Sequence, residues 1–349
     1  MKTEIIKRTI VEVTGETVSD VIDSIIENLK SNKELRNRIG VDFWKDNFEP
    51  EELTENNILI NGEHEITSGC YSIFGTGRVT VTGKAHVNVF GRGYGEIKDG
   101  TAQFFNYSNG RAETTSSVRA FDYTHMRLHH KAVGEYHDFA QGETYGDSDA
   151  SAYDNSFVRI TGKSVGIAKG KAIVMQTGKT KCVYCDNSIG RLHGDATAEA
   201  WGKAHLVLKN ESTAKLFEDS DCDALNDSTV VASGRSMVVA KNAASVTTKE
   251  NSAAQLHERA IGNATGNSIM TLHDTCYADG SENATIKMFE KSRASVSGQV
   301  SVEMSGDNML DINSDGIQYH VTRDANGIVR NNATMELVLH GHKLQVIEK

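Results

Sequence analysis

Two cysteines three residues apart, Cys182 and Cys185, have the C-x-x-C spacing that elsewhere holds a metal ion or a redox-active disulfide. On an extended chain residues three apart face opposite ways, so Cys182 points inward and Cys185 lies near an outer corner. No second such pair offers two further ligands, and no helix N-terminus is at hand to lower a thiol pKa. Asp219, Asp221, Asp223 and Asp227 imitate a calcium loop. Alternate residues of an extended chain stand about 6.6 Å apart, however, too far to converge on one ion. The sixth residue is Ala224 instead of Gly, and the twelfth is Val230 instead of Glu. With Glu211 and Glu218, these aspartates read as a solvated acidic face. His125, His129, His130 and His137, with Tyr136, form the densest histidine cluster, yet it straddles both faces of the chain and lacks a carboxylate pair at fixed spacing. His193, His257 and His273 recur on one edge and read as exposed corner residues. G-R-G-Y-G at 91–95 imitates a phosphate loop, but no helix follows it. The expectation is no catalytic residue, no metal and no cofactor.

Composition points the same way. The 349 residues carry 37 basic and 47 acidic side chains, a formal charge of −10. Nucleic-acid binding through phosphate contacts needs a basic excess, which is missing. No apolar run approaches a membrane span, and the first residues lack the apolar core of a signal peptide. Five scattered cysteines suit a reducing compartment. Apolar residues at 38% and aromatics at 7% are sparse for a compact enzyme of this length.

The elements that must position these residues are set by a repeat. Written in eights from Tyr107, the chain gives 26 octads without insertion to Ser314, among them NSFVRITG, KAHLVLKN and NSAAQLHE. Octad position 2 is Ser in 13 and Ala in 8. Positions 2, 4 and 6 make 78 sites, and none is Asp, Glu, Lys, Arg or His, in a chain that is 24% charged. Such exclusion marks a dry interior. Alternation within each octad means one short strand, and Gly, Asn or Asp around positions 8 and 1 means one tight corner. Stacked coil on coil, this is an all-β fold, a parallel β-solenoid of eight-residue repeats.

Position 6 alternates in size. Large residues sit mostly in one series (Ile160, Leu192, Leu208, Leu256, Leu272, Met288, against Ala224 and Ala240) and small ones mostly in the other (Ala168, Ala200, Ala232, Ala264, Gly280, against Tyr184 and Leu216). That period of 16 predicts a two-sheet coil of two octads, with a three-sided coil of three octads as the alternative. Upstream, Val79, Val81, Ala85, Val87, Val89 and Ile97 alternate on odd positions, one residue out of frame. An extra residue near Phe104–Asn106, most simply a bulge, would absorb the slip. Residues 3–13 read as a strand, and Thr17 to Asn32 as a helix with Val18, Val21, Ile22, Ile25 and Leu29 on its apolar stripe. A second short helix follows through Leu35, and Phe43 to Asn56 reads as loop. After Ser314, strands joined by an Asp-Ala-Asn-Gly turn are expected. The domain reading is an α/β N-terminal cap or attachment module at 1–74, the solenoid at 75–314, and a β cap at 315–349.

The octads, with Ser or Ala followed by small apolar residues and closing on Gly-Lys, Gly-Asn or Asp-Asn, resemble the octapeptide-repeat β-solenoid proteins of bacteriophages and prophages. The resemblance covers about 107–314, with a degenerate extension to about 75. It implies a phage or prophage origin and a structural or interaction role, in the virion or the host cytoplasm. It carries over no catalytic residue.

Unbroken octads leave no long loops from which to build a cleft, which argues against an enzyme. Outer position 3 (Phe157, Val165, Ile173, Lys181, Ile189, Thr197) forms no regular grid of the ice-binding kind. The preferred reading is a non-enzymatic rod presenting faces and caps to protein partners, as a virion fibre, decoration or packaged protein, with no direct nucleic-acid or membrane contact. A second reading is an inhibitor of a host protein that imitates nucleic acid with an acidic face (Glu211, Glu218, Asp219, Asp221, Asp223, Asp227). A third is a glycan-binding or glycan-cleaving fibre. Phe157, Val165, Ile167, Ile173, Met175, Val183 and Ile189 sit at outward positions and form a candidate interaction patch. The helix at 17–32 or a second copy of the chain could cover it, and the second copy, giving a homo-oligomer, is the expectation.

Overall fold

The computed structural model describes residues 17–298, 300–314, 317–323, 329–331, 336–340 and 343–347. The strand expected at 3–13 and the Asp-Ala-Asn-Gly turn lie outside these residues. The chain divides into two compact units, 1–174 and 175–349. Each is a parallel β-solenoid built from two sheets.

In the first unit one sheet, here sheet A, contains Cys70–Phe74, His86–Val89, Thr101–Phe104, Ser117–Ala120, Val133–Tyr136, Asp149–Ala152 and Val165–Ala168. Sheet B contains Glu63–Ile66, Arg78–Val81, Tyr94–Ile97, Asn109–Ala112, His125–Leu128, Gln141–Thr144 and Phe157–Gly162. Partners stand 16 residues apart, as in Val133↔Asp149 and His125↔Gln141. The second unit repeats this, with Thr197↔Thr213 in one sheet and His205↔Asp221 in the other. The coil is therefore two octads, and the three-sided alternative falls.

The octad register holds. Of the 78 sites at positions 2, 4 and 6, all but Val300 are buried. Large and small residues interlock across the interior. A Cβ on Gly142 would come within 2.4 Å of the Tyr136 ring, and one on Gly190 within 2.6 Å of Tyr184. Several of the buried serine hydroxyls at position 2 are satisfied locally, although those of Ser156, Ser188 and Ser228 meet no hydrogen-bond partner. Ser108, Ser220 and Ser252 donate back across the corner to the carbonyls of Phe105, Phe217 and Lys249 at 2.7–2.8 Å.

Every eighth residue from Asn106 to Gly306 has a positive φ, between 55° and 114°. Glycine and asparagine suit this conformation, but Glu218, Glu250, Glu258, Glu282 and Glu290 also adopt it. All of these but Glu258 accept a hydrogen bond from one coil back. Glu218, Glu250 and Glu282 accept from the backbone N–H of Gly202, Gly234 and Gly266 at 2.7, 2.8 and 2.7 Å. Asp122 and Asp138 do the same for Asn106 and Asp122. Where such a carboxylate is present, the corner N–H meets a charged acceptor, which offsets the conformational cost.

Three expectations are corrected. The phase slip comes from a missing residue. Partner spacing falls from 16 to 15 at His86↔Thr101 and Tyr94↔Asn109, which places a three-residue corner at Lys98–Gly100 and no bulge near Phe104. Second, the parallel ladder starts at Ile58–Ile60, paired with Ser72–Phe74, ahead of the expected boundary at 75. Third, Phe43 to Asn56 is mostly helical. Helix α1 (Val18–Ser31) is closed by a Thr17/Asp20 capping box, and α2 (Lys33–Arg38), α3 (Val41–Asn47) and α4 (Pro50–Glu55) follow.

The helices do not only cover an end coil. Val21, Ile22, Ile25, Leu29 and Trp44 share one buried cluster with Phe74, Phe90 and Phe105, the position-7 corner column of successive coils. Those rings stack 4.8 Å apart, and the column continues through Phe121, His137 and Tyr153. Val18 stays exposed at 37%, and Ile26 joins the buried stripe instead. In the second unit both sheets end by reversal. Asn308–Ser314 pairs antiparallel with Ile317–Arg323, and Ser301–Gly306 with Lys343–Ile347.

Candidate functional site

The Cys182 side chain is buried on an inward position and Cys185 is half-buried. Burial pushes the Cys182 thiol up to about 12, so it is not an activated thiolate. Cys276 is raised to about 11 for the same reason.

The six acidic candidates do not share one face. Asp221 and Asp223 project outward from the strand Asp221–Ala224, where Asp221 meets His205 Nδ1 of the preceding coil. Asp219 sits at the corner before that strand and is held by Arg235 at 2.8 Å. Glu218 is turned to the N–H of Gly202. Glu211 and Asp227 follow the paired sheet-B strands His205–Lys209 and Asp221–Ala224, one coil apart, on the opposite corner from Glu218 and Asp219, which follow Thr213–Leu216 of sheet A.

The histidine cluster is divided between two corners. His125 opens the sheet-B strand His125–Leu128, and His129 and His130 follow at its corner, whereas His137 follows Val133–Tyr136 of sheet A. His137 is stacked between Phe121 and Tyr153, and Tyr136 is fully buried with its hydroxyl pKa driven far upward by burial. His257 and His273 stack at 4.7 Å with ring planes 4° apart. Lone pairs in parallel ring planes run parallel and do not converge on an ion about 2.1 Å from each. Among the described residues no group of three His, Cys, Asp or Glu is placed to hold a metal ion.

Of the candidate patch, Val165 is 47% and Ile167 is 38% exposed, and both lie on one strand of sheet A. Phe157 and Ile173 in the first unit, and Met175, Val183 and Ile189 in the second, are half-buried. The neighbours below and above differ in kind: Asp149 pairs with Val165, Gln141 with Phe157, and His205 with Ile189. Helix α1 does not serve as the cover expected as one alternative, because its stripe is taken up by the phenylalanine column.

Two features of the first unit lie outside the sequence expectations, although the 16-residue spacing of Tyr107, Tyr123 and Phe139, and of Arg111 and Arg127, is a signal for them. Tyr107, Tyr123 and Phe139 stack along a corner at 5.5 and 5.3 Å and remain 46–57% exposed, with the Lys33 ammonium over Tyr123 and Phe139. Stacked rings offer edges to solvent and not faces, so this column is no sugar-stacking platform. The outer face of sheet B holds two shallow cavities. One, of about 500 Å3, is walled by Glu63, His64, Glu65, Arg78 and Lys98 and mixes both signs of charge. The other is lined by Arg111 and Arg127. No helix among the described residues is long and apolar enough to cross a membrane. Comparison with protein-family models, curated proteins and solved structures returns no match, so any assignment of role rests on the geometry of this chain.

Proposed function

We propose that this chain is a non-enzymatic structural or interaction protein of phage or prophage origin, whose β-solenoid units present faces and corners to protein partners. The observation that carries the reading is the unbroken run of corners from Asn106 to Gly306, each closed by one positive-φ residue. Catalytic clefts on repeat scaffolds are built from loops inserted at such corners, and this stretch spends every corner on closing the coil. Exposed Val165 and Ile167 support a second copy of the chain as one partner. The nucleic-acid-imitating inhibitor is less well supported, because its acidic residues are dispersed and Asp219 and Asp221 are paired with Arg235 and His205.

Mass spectrometry of gradient-purified virions from a producing lysogen tests the role. Stoichiometric recovery with particles supports it, and recovery only in the soluble host fraction overturns the virion assignment. Light scattering tests the partner. A wild-type mass above the monomer that drops in Val165→Lys/Ile167→Lys, with an unchanged melt, supports self-association. A monomer at high concentration overturns it.

A further inference from the structure

The outer face of sheet B in the first unit carries a cavity of about 480 Å3 walled by Arg111, Arg127, His125, His129, Tyr94 and Tyr145. That volume fits a small organic ligand. No carboxylate lines it.

Strand pairing sets Arg111 directly beside Arg127, and Asn109 beside both His125 and Tyr94. Like charges opposite one another on paired strands repel, and Glu96 beside Arg111 and Glu143 beside Arg127 in the same column offset only part of that repulsion. The carboxylates nearby hold the guanidinium groups in place without covering them. Glu113 takes Arg111 by one terminal nitrogen, Nη2, at 2.6 Å. Glu143 takes Arg127 by Nε at 3.1 Å, and the same oxygen accepts from the Tyr145 hydroxyl at 3.0 Å. Arg111 Nε is a buried donor with no hydrogen-bond partner. The Arg111 side chain as a whole is 44% exposed, and an anion set between the two guanidinium groups would relieve their mutual repulsion.

We propose that this cavity binds an oxyanion, the carboxylate or phosphate group of a small ligand, with Arg111 and Arg127 as its two cationic contacts. Asn109 supplies a further polar group, and the Tyr94 and Tyr145 rings line the remainder. The His129 imidazole reports on the same field. Burial first, then Arg111, lowers its pKa, His130 and Arg127 add to the lowering, and Glu113 opposes it. An anion between the arginines reverses much of that charge and raises the pKa. This proposal goes beyond the interaction role above and does not depend on it.

The test is calorimetric titration of the full chain with inorganic phosphate, glucuronate, a hexose phosphate and uncharged glucose, with His129 followed by NMR. The three anions are expected to bind and glucose not to bind. Arg111→Gln and Arg127→Gln should each weaken anion binding roughly tenfold or more, while Arg111→Gln melts no lower than the parent because the repulsion is gone. Phosphate binding as tightly as the hexose phosphate assigns the site to the bare group, and tighter glucuronate binding assigns it to a carboxylate sugar. The His129 pKa should rise on binding. No binding of any anion at millimolar concentration overturns the proposal. So does binding that Arg111→Gln leaves unchanged in a folded protein, and so does glucose binding equal to that of the anions.

Discussion

Arg36 and Asp122, 86 residues apart in sequence, are joined by two parallel hydrogen bonds, Nε to Oδ2 at 2.9 Å and Nη2 to Oδ1 at 3.1 Å. Both side chains are buried, at 7% and 2% exposure. The same guanidinium donates to the Leu29 and Lys30 carbonyls and lies over the Phe105 ring. Asp122 also accepts from the Asn106 backbone and stands 3.4 Å from Lys33. One ion pair thus ties α1 and α2 to a solenoid corner.

Removing one partner of a buried pair strands the other charge, at a cost of about 3–5 kcal/mol. Arg36→Met should fall at the low end, because Lys33 and the Asn106 N–H still face Asp122. The helical circular-dichroism signal should then melt below the β signal, and protease should cut first within 17–55. A variant that melts in one step at the parental temperature refutes a tethering role for the pair.

Charges placed inward should be intolerable and charges placed outward harmless. Val238 and Leu272 are 2% and 0% exposed, while Lys241 is exposed at a corner. Val238→Asp or Leu272→Lys should cost several kcal/mol or abolish folding. Lys241→Glu should change stability by less than about 0.5 kcal/mol. Thermal melts of the three variants decide the register, since equal tolerance would contradict it.

That register was legible because each inward residue is judged by a single physical test, exclusion of charge, repeated at every coil. Size alternation at position 6 likewise reached the 16-residue coil, since the two sheets face each other and differ in bulk. The slip upstream was visible only as a change of parity, and parity is the same for one residue gained or lost. The strand pairings His86↔Thr101 and Tyr94↔Asn109 show the loss. Phe74, Phe90 and Phe105 sit at corners that the pattern assigns to solvent, and their burial comes from helices far away in sequence. The helices at Val41–Asn47 and Pro50–Glu55 are too short for a clear apolar stripe, and packing of Trp44 and Leu53 fixes them. Arg111 and Arg127 look like ordinary solvated charges until strand pairing sets them side by side.

Interior volume should be conserved in pairs. Gly142→Ala drives a methyl against the Tyr136 ring and should cost about 1–3 kcal/mol. Adding Tyr136→Leu, which opens that space, should restore part of the loss, so the double variant melts above the sum of the two singles. Strict additivity in denaturant melts would show that the two residues do not share a volume.

The corners should obey opposite rules for glycine and glutamate. Gly234 has φ of +71°, and a Cβ there would stand 2.8 Å from the Glu218 nitrogen. Gly234→Ala should therefore cost more than about 1 kcal/mol. Glu250→Ala keeps the strained conformation and deletes the acceptor for the Gly234 N–H, a loss of about 1.5–3 kcal/mol. Glu250→Gly relieves the strain while losing the same bond and should be milder. If Glu250→Ala and Glu250→Gly melt alike, the carboxylate and not the backbone dominates.

Stability should fall as the medium is acidified below the ordinary histidine range. His86, His129 and His257 all have lowered pKa values, with burial as the leading cause in each. His257 adds a geometric reason: its ring is stacked on His273, and Lys241 lies near, while Asp274 and Glu290 oppose the shift. Two stacked imidazoles resist becoming cations together. A histidine whose folded pKa is depressed binds fewer protons folded than unfolded. Its contribution is complete above the unfolded value of about 6.5 and is lost as pH falls from there toward the folded value. Melting temperature should therefore be level from about pH 8 to 7 and decline between about pH 6.5 and 5. His257→Gln should shallow the decline without lowering stability at neutral pH, since glutamine carries no proton to gain. A profile that is flat through this window, or a His257→Gln variant with the parental slope, would show that the stacked pair contributes nothing to acid sensitivity.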